Sequence, residues 1–510
     1  MRDIKPLIFG ISLFLINLIL IYKLFVSRNS QNSHPPSSHE KYDTIIIGSG
    51  LAGLTAAIQL FQLAPSSKIL MLEKEAYLGG NSAKATSGIN LLDTPIQQKN
   101  NIDDTFGLFY DDTMKSSKNL SVPSLVEVLV NDSRAAFKFI TDLNVDLSLI
   151  SLLGGHSKAR THRPSSAPVG FTLTSKFTEF IKKSTSIKIL LNTTADDFVF
   201  HDKRVSGVSA FDTNQPHIKK KYFGNSVVLA TGGYAHDFSD KSLLTEFVPQ
   251  LYNFPTTNGP QAEGRGVKMG RKIGAGLVHM DQVQLHPTGF IDQNDYFGKK
   301  KILAPELIRG VGGILINHKG ERFCNELGTR DYVKDAILEH CEKKQSQYEA
   351  LLIINEAGRT EYGKNINFYI GKGYMKPYSS FQALSSQFNI PFEGLREMVE
   401  TYNACADGEK KDAFGKTVFQ TKFKLDETLY AGLITPSLHY TMGGLKINEK
   451  GQVLRENGEV IEGLYGAGEV TGGVHGGNRL AANSLLECVV FGRVVGKELA
   501  RFNEEKKDNY

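Results

Sequence analysis

Gly48, Gly50 and Gly53 stand in G-x-G-x-x-G spacing, directly after the β-branched run 44–47 and before the helical run 54–63. In such a turn the first glycine permits the tight bend and the second lets backbone reach a pyrophosphate. The third lets helix and strand close up. Amides at the helix start, those of Ser49, Leu51 and Ala52 among them, then face the phosphates. Glu73, followed by Lys74 at the end of the next apolar run KILMLEK, is placed to accept hydrogen bonds from ribose hydroxyls. A second set of residues suits anion recognition. Arg479 offers a planar fork for a carboxylate. His286 and His439 can donate hydrogen bonds to carboxylate oxygens, and as cations would add charge.

These groups must be carried by regular elements, and the chain alternates apolar strand-like runs (44–47, 69–72, 227–230) with helical ones (54–63, 484–502), which is α/β patterning. Before this body comes an almost wholly apolar stretch, 7–22, flanked by Arg2 and Lys5 on one side and Lys23 and Arg28 on the other. Residues 1–26 therefore read as a signal or anchor segment without an A-x-A cleavage site, its orientation left open by basic flanks at both ends. Residues 27–41 (SRNSQNSHPPSSHEK) read as a polar linker.

The composition of the 510 residues, 41% hydrophobic and 22% charged, is that of a folded chain long enough to bury its own core. A net charge of +5, spread without a basic run, excludes nucleic acid as a partner. Cys324, Cys341, Cys405 and Cys488 are too scattered for structural zinc, attached haem or an iron–sulfur cluster, so no metal is expected. The 49 glycines, many in clusters, imply repeated close approach of backbone to a ligand.

Three of those clusters extend the first motif: EAYLGGNSAKATSGIN (75–90), VVLATGGYAHD (227–237) and GLYGAGEVTGG (463–473). Together they resemble the two-part FAD-binding fold of the fumarate reductase and succinate dehydrogenase flavoproteins. Five further segments narrow the likeness: QLHPT (284–288), LAPELIRG (303–310), ERFCNELGTRD (321–331), HYTMGG (439–444) and GGVHGGNRLAANSL (472–485). In this order and spacing they resemble the soluble, flavin-only fumarate reductases of fungal type, over about 42–502.

The resemblance implies an α/β chain with a Rossmann-like FAD-binding domain in two segments, 42–285 and 438–505. A capping domain of α+β type, 286–437, is inserted between them. FAD would be held by the glycine turn and Glu73, by Gly80, Asn81, Ser82, Ser87, Gly88 and Ile89, and by Thr231, Gly232 and Glu469. The start of the last helix, Asn483, Ser484 and Leu485, would complete that cradle. Asn81 stands where membrane-complex relatives carry the histidine that bonds FAD, which implies non-covalent binding.

The implied reaction is reduction of fumarate to succinate. His286, His439 and Arg479 would clamp the two carboxylates, twisting one out of conjugation so that the alkene accepts hydride. Arg330 is implied as the acid that protonates the neighbouring carbon, with Glu306 and Arg309 as its proton relay. Arg309 as the primary acid remains open, because an arginine acts as an acid only when desolvated beside other cations. Reduced free flavin or another external donor would supply electrons. Two departures from the pattern are Arg265 in place of an aspartate and Pro305 ahead of Glu306. The loops 154–156 and 160–164 also resemble family segments near the flavin, with a structural role equally open.

The alternatives are another flavin-dependent alkene reductase or dehydrogenase (urocanate, aspartate or ketosteroid type), or a tethered flavin-binding protein without turnover. A monomer is expected, in the endoplasmic reticulum or the mitochondrial intermembrane space, with the first segment cleaved or kept as a membrane anchor.

Overall fold

The computed structural model describes residues 41–345 and 347–507. The hydrophobic segment 1–26 and all of the linker but Lys41 lie outside them; Lys41 itself opens the first strand. Among the described residues no helix is long and apolar enough to cross a membrane.

Strands Lys41–Ile47, Ile69–Leu72 and Ile187–Leu190 run parallel, in that order, from the middle of the main sheet to one end of it. On the other side of the first strand lies Gln215–Leu229, then Val460–Gly466 parallel to it, then the edge strand Gln452–Leu454. Strands of this sheet thus come from both ends of the chain. Ile45, Ile46, Leu70, Met71, Val227 and Val228 are wholly buried, as parallel strands covered on both faces require. Helices Leu51–Leu63 and Asn483–Lys507 pack against each other beside the sheet.

A second sheet is antiparallel: Ile302–Leu303, Val283–Phe290, Leu429–Thr441, Ala350–Asn355 and Ile314–Ile316, with Lys376–Tyr378 paired to the long strand. Helices Glu306–Gly310, Arg330–His340 and four more between Glu356 and Ala406 accompany it. The division points expected at 285/286 and 437/438 both fall inside strands of this sheet. Its two longest strands therefore begin and end against the first sheet's body, and carry His286 and His439 to the seam.

The register between them breaks at Gln284/Leu285 and again between His286 and Gly289. Pro287 cannot donate to the ladder, so pairing lapses there and the strand bulges. The freed Thr288 N–H turns to His286 Nδ1 at 3.1 Å.

Candidate active site

A cavity of about 690 Å³ lies between the two sheets' bodies. Gly48, Ser49, Gly50, Leu51, Ala52, Glu73, Lys74, Gly80, Asn81 and Ser82 line one part of it. Thr231, Gly232, Glu469, Ser484 and Leu485 line another. Gly50 precedes the first helical residue, and a Cβ there would meet only Ser82 Oγ, at 3.8 Å, so this backbone is open to a phosphate. Thr231 Oγ1 and Gln261 Oε1 are buried at the cavity with no protein partner. A cradle of amides with orphaned polar atoms around it fits a flavin dinucleotide.

Gly48 cannot be replaced. Its φ is +99°, and a Cβ would lie 2.4 Å from the Ala230 carbonyl oxygen. Gly48→Ala is expected to hold flavin at least about tenfold more weakly, because the turn must shift to relieve the contact. The ratio of flavin to protein absorbance after purification checks this.

Glu73 is already engaged: one carboxylate oxygen accepts from Ser49 N (2.9 Å) and Ser49 Oγ (2.5 Å), the other from Glu75 N (2.8 Å). It fixes the turn as well as facing the cavity. Asn81 Oδ1 accepts from Gly259 N (3.0 Å) and Gln261 Nε2 (3.1 Å), tying the 80s loop to the loop at 258–261. Arg265 at the cavity wall donates to Glu263 Oε1 (2.9 Å), which also takes Lys74 Nζ at 2.8 Å. Burial pushes the Glu469 carboxyl up to about 7, although it accepts from Thr441 N at 2.9 Å.

Five residues expected at the cofactor stand behind the cavity lining. Gly53 lies in the helix, where a Cβ would strike the Gly48 oxygen at 2.1 Å. Gly88 backs onto Thr161 and His162, Ile89 is buried in a short strand, and Ser87 leads into it. Asn483 is wholly buried, joined to Asn90 (2.7 Å) and Thr113 (3.2 Å). Each sits one layer back because its segment turns away to pack.

At the seam the rings of His286 and His439 lie 4.9 Å apart. Since His286 Nδ1 accepts from the Thr288 amide, the neutral ring carries its proton on Nε2, which is buried without a protein partner. His439 Nδ1 is bonded to Thr257 Oγ1 at 2.7 Å. Burial first, and then Arg330 beside them, hold both imidazoles well below the usual histidine value. They are therefore neutral donors, and the added charge that protonated rings would bring is absent. Positive charge comes from the arginines instead.

Arg330 donates from Nε to Glu306 Oε2 (2.9 Å) and from Nη1 to Gln284 Oε1 (2.9 Å). Arg309 Nη2 lies 3.8 Å from the same Glu306 oxygen, while its Nη1 donates to the Glu326 carbonyl. Burial raises the Glu306 carboxyl, and the Arg330 and Arg309 guanidiniums more than reverse that, leaving it below the ordinary range. Burial also holds Arg309 below its usual value. Gly154 N–H donates to Glu306 Oε1 at 2.9 Å across the seam. Pro305 costs nothing here: it sits just ahead of the helix at φ −60°, where no intrahelical N–H is needed.

Arg479 is buried, with Nε lacking a protein partner and Nη1 only 3.3 Å from the Leu480 carbonyl. Burial, followed by Arg330, pushes it down to about 9. Its guanidinium lies 4.5 Å over the Tyr440 ring. In the 160–164 loop, Arg160 is locked by Asp104 (2.8 Å) and Asp112 (2.5 Å), a structural pairing. Gln284, Gly154, Thr257 and Tyr440 complete the site: Gly154 lies in the loop 154–156 already set near the flavin by resemblance, Gln284 and Tyr440 lie inside QLHPT and HYTMGG but were given no role from the sequence, and Thr257 carries no local signal.

The FAD binding domain family matches residues 43–485. Fumarate reductase 1 of Saccharomyces cerevisiae is 42% identical over 471 residues, covering 89% of this chain and 98% of that protein. The fumarate reductase of Schizosaccharomyces pombe is 39% identical over 477 residues, 90% of each. The open conformation of a flavocytochrome c3 fumarate reductase superposes with a TM-score of 0.73 at 29% identity, over 93% of this chain and 81% of that one. The chain thus belongs to the FAD binding domain family, in the branch that holds the fumarate reductases.

Proposed function

We propose that this chain reduces fumarate to succinate with FAD. The observation that carries the reading is the pair of buried donors left without protein partners, His286 Nε2 and Arg479 Nε, beside a complete Arg330–Glu306–Arg309 array. Such donors suit a small dianion; an enone steroid needs an apolar wall there instead. When bound and reduced, the flavin supplies hydride to one alkene carbon.

The chain's residues do the rest. Arg479 takes one carboxylate, and His286 and His439 donate to the other, holding it out of plane so that the alkene is electrophilic. Arg330 has Nε committed to Glu306 and Nη1 to Gln284, which leaves Nη2 to give its proton to the second carbon. Glu306 passes a replacement proton from Arg309 to Arg330, its ionised state being secured by the two guanidiniums. Seam closure excludes water from these groups.

Non-covalent retention of FAD is part of the proposal, since Asn81 is not a nucleophile and its amide is spent on the loop at 258–261. So are electron supply from reduced free flavin or another external donor, and placement of a monomeric body in the endoplasmic reticulum or intermembrane space by the first segment.

The test is anaerobic: reduced holoenzyme mixed with fumarate, followed by flavin absorbance and succinate formation. Rapid reoxidation with succinate formed supports the proposal. Flavin that stays reduced with fumarate but reacts with urocanate or an enone steroid rejects it. The pH profile is a further expected outcome. Because burial and Arg330 hold both imidazoles well below the usual histidine value, kcat/KM should show no histidine step at that value, and should fall on the alkaline side as Arg479, pushed down to about 9, loses its proton. A loss centred on pH 6.5 would contradict neutral imidazoles.

A further inference from the structure

Arg479 presents a problem of support. It is 2% exposed, and among the described residues no carboxylate is paired with it. What it rests on is the ring of Tyr440, 4.5 Å away. On the side away from the guanidinium, the Tyr440 hydroxyl donates to Glu487 Oε2, and His475 Nε2 lies 3.0 Å from the same oxygen. Glu487 is 1% exposed and lies one turn into helix Asn483–Lys507.

The three groups are therefore connected in series: Glu487 holds the Tyr440 hydroxyl at the ring edge, and the ring face, which borders the cavity, carries the Arg479 guanidinium. Burial and the Glu487 carboxylate push the Tyr440 phenol well above its ordinary value, so it stays protonated and donates. A phenol that gives its proton bond to a carboxylate has a more electron-rich ring, and a richer face holds a cation more firmly.

We propose that Glu487 is a positioning residue for substrate binding: through the Tyr440 hydroxyl it sets the ring face on which Arg479 rests, and so the pose in which that guanidinium meets a carboxylate. The inference rests on the dicarboxylate reading given above. Other charged or titratable groups bearing on Arg479 are Arg330 and Glu306 from their helices, Glu469 from the glycine turn, and His439. His286, on the neighbouring strand, also senses it. Glu487 is not among the charges that act most strongly on Arg479, so its influence reaches the guanidinium through the Tyr440 hydroxyl and ring.

The experiment uses flavin-loaded Glu487→Gln, Tyr440→Phe and the double variant. Succinate is titrated into each oxidised protein by flavin absorbance, and fumarate kinetics are measured separately. Each single change is expected to raise the succinate Kd and the fumarate KM by about 5- to 20-fold, with kcat within about threefold, and the double variant to be no worse than either single. A purely structural pin between helix and strand would not split KM from kcat. Unchanged Kd and KM in a flavin-loaded single variant, or additive losses in the double, overturn the inference. If Glu487→Gln does not retain flavin, Tyr440→Phe decides by the same readings. Wild-type protein that neither binds succinate nor reduces fumarate overturns the substrate reading and this inference with it; normal wild-type behaviour beside unaffected variants removes this inference alone.

Discussion

Arg330→Ala is expected to lower kcat for fumarate by about 10²- to 10⁴-fold, the usual contribution of a positioned acid, while flavin content stays at the wild-type level. The buried side chain is held to Glu306 and to Gln284 by two bonds of 2.9 Å. Alanine removes the proton donor and leaves Glu306 with the Gly154 N–H at 2.9 Å and the Arg309 guanidinium at 3.8 Å. Arg330→Lys should fare little better, because an ammonium cannot bridge Glu306 and Gln284 and still present a donor forward. Single-turnover reoxidation of reduced protein by fumarate separates this loss from any defect in loading the flavin. Turnover within about tenfold of wild type in Arg330→Ala would move the acid's role to Arg309.

Arg479→Met carries the second large effect. Methionine fills much of the same space against Tyr440 but offers no donor to a carboxylate. Truncating one member of a buried, hydrogen-bonded charge pair costs about 2–5 kcal/mol, so kcat/KM should fall by roughly 30- to 4,000-fold. Arg330 and Glu306 keep their geometry, so the loss should fall chiefly on KM and on the succinate Kd. Steady-state kinetics over a wide fumarate range, with flavin absorbance to confirm loading, checks it. An unchanged KM would mean that the carboxylate is bound elsewhere.

Much of this was legible in the chain before any coordinates, and the reasons are physical. The turn at Gly48–Gly53 is a local object: glycine spacing, a strand before and a helix after suffice to name it. The helix nonetheless starts at Leu51, because Gly53 is an interior position that lets the helix lie against Gly48. Gln215–Leu229 shows only its last residues as an apolar run, since its first half (QPHIKKK) is an exposed hairpin arm. The contacts that orient the acid were not legible. Gly154 reaches Glu306 across 152 positions and Gln284 reaches Arg330 across 46, through a backbone amide and a neutral side chain that carry no chemical signature in a sequence. Neutrality of the histidines was likewise hidden, because it follows from burial beside Arg330 and not from residue type.

The buried donors at the seam have a consequence for how the protein lasts. His286 Nε2 and Arg479 Nε are buried groups that the fold itself does not satisfy, and unsatisfied buried donors weaken a native state. A dicarboxylate that binds only the folded form adds RT ln(1 + [L]/Kd) to its stability. Resistance to heat and proteolysis is then set partly by the supply of substrate and product around the protein. An inactive chain with apolar residues at these positions would be the sturdier one.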